Sequence, residues 1–162
     1  MDVIVQSFGQ FSYRKESTHM SIKKTGSAVW EGSLKEGTGQ VSTGSGALKD
    51  VPYSFGKRFE GEPGSNPEEL IGAAHASCYS MALSMIMGEA GLTPERIATE
   101  ATVTLEQDAG GFSITKIHLT TRVRSPGADD KAFHGAAEKA KEGCPVSKLF
   151  KAEITLDASL EN

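Results

Sequence analysis

From Leu70 to Gly88 the chain carries no Asp, Glu, Lys or Arg, and helix signals stand at both ends of that stretch. Asn66 suits the N-cap, Pro67 the first helical position, and Glu69 the third position of a capping-box-like start. Glu68 and Glu69 complement the positive end of the helix dipole, and Gly91 supplies a stop just beyond Ala90. Ile71, Ala74, His75, Cys78, Ala82 and Met85 recur at three- and four-residue steps, which places them on one face. The other faces carry Gly72, Ala73, Ala76, Ser77, Met81 and Leu83. A helix that is apolar or small all round is buried all round. In a chain of 162 residues, the expectation is a central helix enclosed partly by a second subunit.

The flanking segments are strand-like. Ile22 to Leu34 centres on Ala28-Val29-Trp30, Gln40 to Thr43 begins a second strand, and Gly37-Thr38-Gly39 and Gly44-Ser45-Gly46 mark turns. A meander of about three strands is expected there, followed by an aromatic segment, Tyr53 to Phe59. Beyond the helix, Thr102 to Glu106 alternates as a strand and Asp108-Ala109-Gly110-Gly111 turns the chain. Phe112 to Arg124 alternates over a long span whose register slips once near Thr115-Lys116, the mark of a bulge. A helix from about Asp129 to Glu142 ends at Gly143, a short turn follows Cys144-Pro145-Val146, and a last strand runs from Ala152 to Leu160. Strands and helices in this irregular order make an α+β fold.

Length allows one domain with one substantial core. A net charge of −4 without any basic stripe argues against nucleic acid or an anionic membrane surface as partner. The longest apolar-rich run, Leu70 to Met87, is interrupted by His75 and small polar residues, so no membrane span is expected. Residues 1–19 lack the basic start, apolar core and cleavage site of a signal peptide. They read as a leader, an expression tag or a native extension, ahead of a single domain over residues 20–162. The expected compartment is cytoplasmic, where the two cysteines rest as thiols.

Those cysteines, Cys78 within the uncharged helix and Cys144 between Gly143 and Pro145, belong to no Cys-x-x-Cys pair. Apolar surroundings make a thiol harder to ionise, so a reactive Cys78 needs a cation or a strong donor. Arg58, among aromatic residues just upstream of the helix, is the candidate cation, and Glu68 is the carboxylate that would hold its guanidinium. Ten helical residues span about 15 Å, so Glu68 does not bridge to its own Cys78. Either Arg58 reaches between them, or Glu68 of a symmetry-related antiparallel helix lies opposite. Two plainer readings stand beside this one. The cysteines are small buried hydrophobes with inert thiols in a stress-induced binding or structural dimer, or His75, Cys78, His134 and Cys144 supply a zinc site, although their spacing matches no strong zinc motif. His75 otherwise reads as a hydrogen-bonded helix histidine lining the site.

The run Asn66-Pro67-Glu68-Glu69-Leu70-Ile71-Gly72-Ala73-Ala74-His75-Ala76-Ser77-Cys78, with Gly143-Cys144-Pro145-Val146-Ser147, closely resembles the OsmC/Ohr family of osmotically inducible and organic-hydroperoxide-resistance proteins. The likeness extends from Met20 to about Leu160 and takes in Ala28-x-Trp30-Glu31-Gly32, Arg58-Phe59-Glu60-Gly61 and Lys151 to Asp157; the His75-Ala76-Ser77-Cys78 wording resembles the OsmC branch. The resemblance implies an intertwined α+β homodimer, with antiparallel sheets wrapped around long central helices. It also implies a peroxidase for organic or lipid hydroperoxides, with Cys78 peroxidatic, Cys144 resolving, and Arg58 and Glu68 in the polar network around Cys78. Metal, flavin and haem are not required, and the reductant implied is an external dithiol of lipoyl type.

Overall fold

The computed structural model describes residues 20–161; the expected leader, residues 1–19, lies outside them. The order of elements is β1 (Gly26–Glu31), β2 (Thr38–Thr43), β3 (Val51–Ser54), α1 (Phe55–Phe59), α2 (Pro67–Glu89), β4 (Arg96–Asp108), β5 (Gly111–Arg124), α3 (Asp130–Gly143), α4 (Pro145–Leu149) and β6 (Glu153–Glu161). They form two three-stranded sheets, β1-β2-β3 and β4-β5-β6, with α2 and α3 packed on the second, α4 against those two helices and α1 beside β3. This is the expected α+β architecture.

Local signals act where the sequence puts them. The Asn66 side chain accepts the backbone N–H of Glu69 at 2.8 Å, Pro67 opens α2, and Gly91 follows its end with φ +74°. Asp129 caps α3 by accepting the N–H of Ala132 at 2.8 Å. Between β4 and β5 the register runs Thr104 opposite Lys116, then Leu105 opposite Ile114, so Thr115 is the extra residue of the bulge. Antiparallel pairing holds within β1-β2-β3 and between β4 and β5, but β6 lies parallel to β5. The reason is the connection: α3 and α4 carry the chain back across the sheet, as a parallel pair requires. The aromatic segment divides into the end of β3 and the short helix α1, and the turn after Cys144 is the helix α4.

The second sheet and its helices hold the core. Phe133, Ala136, Ala137 and Ala140 line the inner stripe of α3, against Tyr79, Leu83 and Met87 of α2 and Leu119 and Val123 of β5. The Tyr79 hydroxyl donates to the Ala137 carbonyl at 3.4 Å, and burial, with the Glu138 carboxylate nearby, pushes its pKa well up and keeps it neutral. A chain of hydroxyls ties α2 to the sheet: Ser80 donates to Thr99 at 2.8 Å, and Thr99 pairs with Thr121 at 2.9 Å. These bonds satisfy polar atoms that burial would otherwise make costly.

The seating of α2 selects one face. Its buried residues are Gly72, His75, Tyr79, Leu83 and Met87, a stripe that shares only His75 with the face picked out by spacing, and Ala74 and Met85 turn outward. Gly72 sets that rotation, because a Cβ built there would stand 3.0 Å from the Ala101 carbonyl oxygen on β4. Within one chain α2 is not covered all round. Met81 is 76% and Met85 60% exposed, on a face shared with Ala73, Ser77 and Ser84. A further correction concerns hydropathy: α2 spans 23 residues, with an 18-residue window of mean hydropathy 1.4, long and apolar enough to cross a membrane by length and composition. Its interruptions are too small to lower the average, and its inner residues pack on β4, α3 and α4.

Filling the space at Gly72 lifts the helix from the sheet. Gly72→Leu is expected to lower stability by about 1–3 kcal/mol, the usual cost of overpacking, read as a drop in Tm by thermal unfolding.

Candidate active site

Cys144 sits where two helices meet. Its N–H donates to the Ala140 carbonyl at 2.9 Å, closing α3, and its own carbonyl accepts the N–H of Lys148 at 3.1 Å, opening α4. Pro145 takes the first position of α4, where a missing N–H costs nothing. The corner fixes the Cβ direction of Cys144 and aims its sulfur at α2. There it meets Cys78, with 2.9 Å between the two sulfurs, both free thiols. Cys144 is 0% exposed, whereas Cys78 is only partly buried.

Their surroundings push the two thiols in opposite directions. Burial alone raises the Cys144 pKa, but the Cys78 thiol, the N–H and hydroxyl of Ser147 and the N–H of Val146 act on its sulfur and carry it below the usual thiol value. Cys78 goes the other way: burial and then Cys144 push it up, and the N–H of Val146 offsets only part of this. A negative charge on the pair therefore rests at Cys144, where the donors are. This differs from the sequence expectation, which sought the thiolate at Cys78 and its cation in Arg58.

Behind Cys144 stands a buried polar pair. Ser147, three residues on along α4, lies 2.8 Å by its Oγ from Nε2 of His75, which is 0% exposed on α2. The His75 ring packs at 5.6 Å from that of Phe150, and its Nδ1 has no hydrogen-bond partner. His75 was expected as a hydrogen-bonded histidine lining the site; it is hydrogen-bonded, but fully buried behind Cys144. Ser147 was not singled out, although its place in the first turn of α4, one turn after the cysteine, was a usable signal.

Arg58 and Glu68 form the expected pair, but at the far end of α2. The Arg58 Nε reaches both carboxylate oxygens of Glu68 at 3.2 and 3.1 Å, and Nη2 reaches Oε1 at 2.6 Å. The guanidinium also lies 5.1 Å over the Phe59 ring, which stacks with Phe55 and Phe112. Beside it opens a cleft of about 260 Å³ lined by Trp30, Leu34, Tyr53, Phe55 and Phe59. The helix rise from Glu68 to Cys78 is about 15 Å, and Arg58 is not among the groups acting on the Cys78 thiol. One chain thus brings together Cys78 with Cys144, and Arg58 with Glu68, without joining the two pairs. The zinc alternative fails on geometry: His134 faces Asp130 on α3 at 3.7 Å, and among the described residues no three His, Cys, Asp or Glu side chains converge as metal ligands.

Residues 59–159 match the OsmC-like protein family. The chain is 58% identical to the peroxiredoxin OsmC of Escherichia coli over 143 residues, which cover 88% of this chain and all of that one. The crystal structure of the organic hydroperoxide resistance protein OhrB of Bacillus subtilis superposes with a TM-score of 0.61 at 26% identity, covering 85% of this chain and 98% of the other. An OsmC-like protein of Mycoplasma pneumoniae shares the fold at 15% identity, with a TM-score of 0.70 over 88% of this chain and 100% of that one.

Burial lowers the pKa of His75 from its ordinary 6.5. Well above pH 6.5 the ring is neutral in the folded and unfolded chain alike. As pH falls below 6.5, the unfolded chain takes up a proton that the folded chain refuses, so stability falls by up to about 1.4 kcal/mol for each unit separating the two values. The loss levels off once the folded pKa is passed. The Tm of the wild type is therefore expected to drop more between pH 7 and 5.5 than that of His75→Gln, which cannot titrate. Equal drops in thermal unfolding would show that His75 charges as readily folded as unfolded.

Proposed function

The chain belongs to the OsmC-like protein family, and on that footing we propose that it is a cysteine-based peroxidase reducing organic hydroperoxides to alcohols. The observation that carries this reading is the approach of two free sulfurs, distant in sequence, to 2.9 Å, with only Cys78 accessible. Inert buried cysteines have no need of such proximity. Accessibility assigns the order: Cys78 meets the peroxide, and Cys144, wholly buried, follows. A proton crossing from Cys78 to Cys144 gives the outer sulfur its charge. The Cys78 thiolate attacks the distal peroxide oxygen, the O–O bond breaks, an alcohol leaves, and a sulfenic acid remains. Cys144 displaces the sulfenic oxygen to form a disulfide, and an external dithiol, of lipoyl type by family likeness, restores both thiols by exchange. A reducing, cytoplasmic setting suits that cycle.

A homodimer completes the site. The uncharged outer face of α2, with Met81 and Met85 exposed, calls for a cover. The β1-β2-β3 sheet supports the same reading: it touches the rest of its own chain only lightly, and β1 is exposed along most of its length, with Val29 at 60%. Two copies of α2 packed antiparallel, with Glu68 of one opposite Cys78 of the other, cross at Ala73, an exposed small residue that permits close approach. Arg58, held by Glu68, then supplies from the second copy the cation that Cys78 lacks, and stabilises charge as the O–O bond breaks. The aromatic cleft beside Arg58 comes with it and favours an apolar substituent on the peroxide over hydrogen peroxide.

A small excess of cumene hydroperoxide is expected to remove two protons from the intact mass of the wild type, and to leave one added, trappable oxygen on Cys144→Ser. Unchanged masses would make the thiols inert. Ala73→Glu is expected to sediment as a monomer and to consume peroxide at least about tenfold more slowly, the scale of losing a charge-stabilising donor. A monomer with the wild-type rate would remove the second copy's Arg58 from the site.

A further inference from the structure

His75 and Ser147 have no part in the scheme above, yet their places repeat those of the two cysteines. His75 lies three residues before Cys78 on α2, and Ser147 three residues after Cys144 on α4. Three residues make most of a helical turn, a rise of about 4.5 Å. Two contacts therefore link the same two elements side by side, the sulfurs at 2.9 Å and His75 Nε2 with Ser147 Oγ at 2.8 Å. The second is the one hydrogen bond from Pro145–Leu149 to α2 among the described residues. A helix of five residues needs such a tie, being far too short to persist in isolation. Lys148 and Leu149 are exposed, and the apolar hold on α4 is Val146 at the edge of the core and Phe150 at 5.6 Å from the His75 ring. Apolar contacts tolerate a slide. A hydrogen bond between enclosed groups does not, because breaking it strands both partners away from water. His75 is fully enclosed, Ser147 is nearly so, and the other ring nitrogen has no partner, so the ring answers to Ser147 alone among polar groups.

From this geometry we propose that the His75–Ser147 hydrogen bond is a strut that sets the distance between Cys78 and Cys144, and so decides how fast the disulfide closes. Both are positioning residues, acting through the placement of α4 on α2. The sulfenic acid on Cys78 has two fates. In one, the Cys144 sulfur attacks the Cys78 sulfur, an S–S bond forms and the S–O bond breaks. Hydroxide leaves and takes the Cys144 proton as water; Cys144 is oxidised to disulfide and the Cys78 sulfur is reduced from sulfenic acid. In the other, a second hydroperoxide gives an oxygen to the Cys78 sulfur, leaving a sulfinic acid and a second alcohol, and thiol exchange does not reverse that step. The first fate follows the effective concentration of one sulfur at the other; the second follows the peroxide concentration. From 2.9 Å the sulfurs have about 1 Å to travel to the S–S bond length of about 2.0 Å. The strut keeps that path short, and so protects Cys78 from its own substrate.

The protective consequence rests on the peroxidase reading, whereas the strut itself is read without peroxide, by equilibrating the Cys78–Cys144 disulfide against dithiothreitol. Ser147→Ala and His75→Leu are each expected to weaken the disulfide about tenfold, the scale of a small misplacement, which makes its potential about 30 mV less negative. His75→Gln keeps an amide in reach of the Ser147 hydroxyl and is expected to stay near the wild type. The double variant Ser147→Ala/His75→Leu is expected to be no weaker than either single one, because both remove the same bond. On single-turnover mixing with excess cumene hydroperoxide, the Ala and Leu variants are expected to close the disulfide about tenfold more slowly. Half of their Cys78 should then carry two added oxygens, by intact mass, at about one tenth of the peroxide the wild type needs, while the rate of sulfenic acid formation changes far less. Effects that multiply in the double variant, equal weakening in the Gln and Leu variants, or wild-type equilibria in both single variants overturn the strut. A wild type that forms neither sulfenic acid nor disulfide with peroxide overturns the peroxidase reading, and the dithiothreitol equilibria then judge the strut alone.

Discussion

The meeting of the two sulfurs depends on the contact between α2 and β4 at Gly72. With no side chain there, the helix backbone comes down to the sheet, where an added Cβ would stand 3.0 Å from the Ala101 carbonyl oxygen. That contact sets the rotation of a helix whose faces are chemically so alike that hydrophobicity alone does not choose among them. Once it is set, Tyr79, Leu83 and Met87 turn inward against α3, and Cys78 comes to the edge of the buried stripe. Cys144 is brought to it by an independent device, the corner between α3 and α4, whose backbone bonds tie its N–H to one helix and its carbonyl to the other. Two rigid elements thus hold two sulfurs at contact, and disulfide closure asks for little rearrangement of either.

Electrostatics then divide the labour between identical side chains. The backbone N–H groups and the hydroxyl at the start of α4 favour charge on Cys144, while burial and the neighbouring sulfur disfavour it on Cys78. The residue best able to hold the thiolate is therefore the one a substrate cannot touch. The same chain holds the Arg58 guanidinium in a bidentate grip by Glu68, over the Phe59 ring, at the other end of the stretch of α2 that leads to Cys78.

Much of this was legible beforehand because it is written in neighbouring residues. Asn66 and Pro67 open a helix through bonds to groups three residues on, Gly91 ends it through its own backbone freedom, and the slip at Thr115 breaks an alternation that any strand displays. The Arg58–Glu68 pair followed from charge and chemistry, since a guanidinium among aromatic rings calls for a carboxylate. The buried stripe of α2 was not legible because every face is apolar or small, so periodicity carries little information. The parallel pairing of β6 was missed because strand direction depends on where the intervening helices deliver the chain. Ser147 escaped notice because a serine beside a cysteine acquires meaning only when a histidine 72 residues away arrives at its hydroxyl.

What the sequence determined by itself, then, is the α+β succession of elements, the ends of its helices and the family, and it singled out Arg58, Glu68, Cys78 and Cys144 as the candidates for chemistry. Tertiary structure decided which of them meet. It joined Cys78 to Cys144 and placed His75 and Ser147 behind them, and it kept Arg58 and Glu68 half a helix away. The physical reason is one of range. Caps, turns and alternation act over three or four residues and are visible locally, whereas the contact of two sulfurs is set by how a helix rolls on a sheet, a choice made by a glycine and a carbonyl on separate elements.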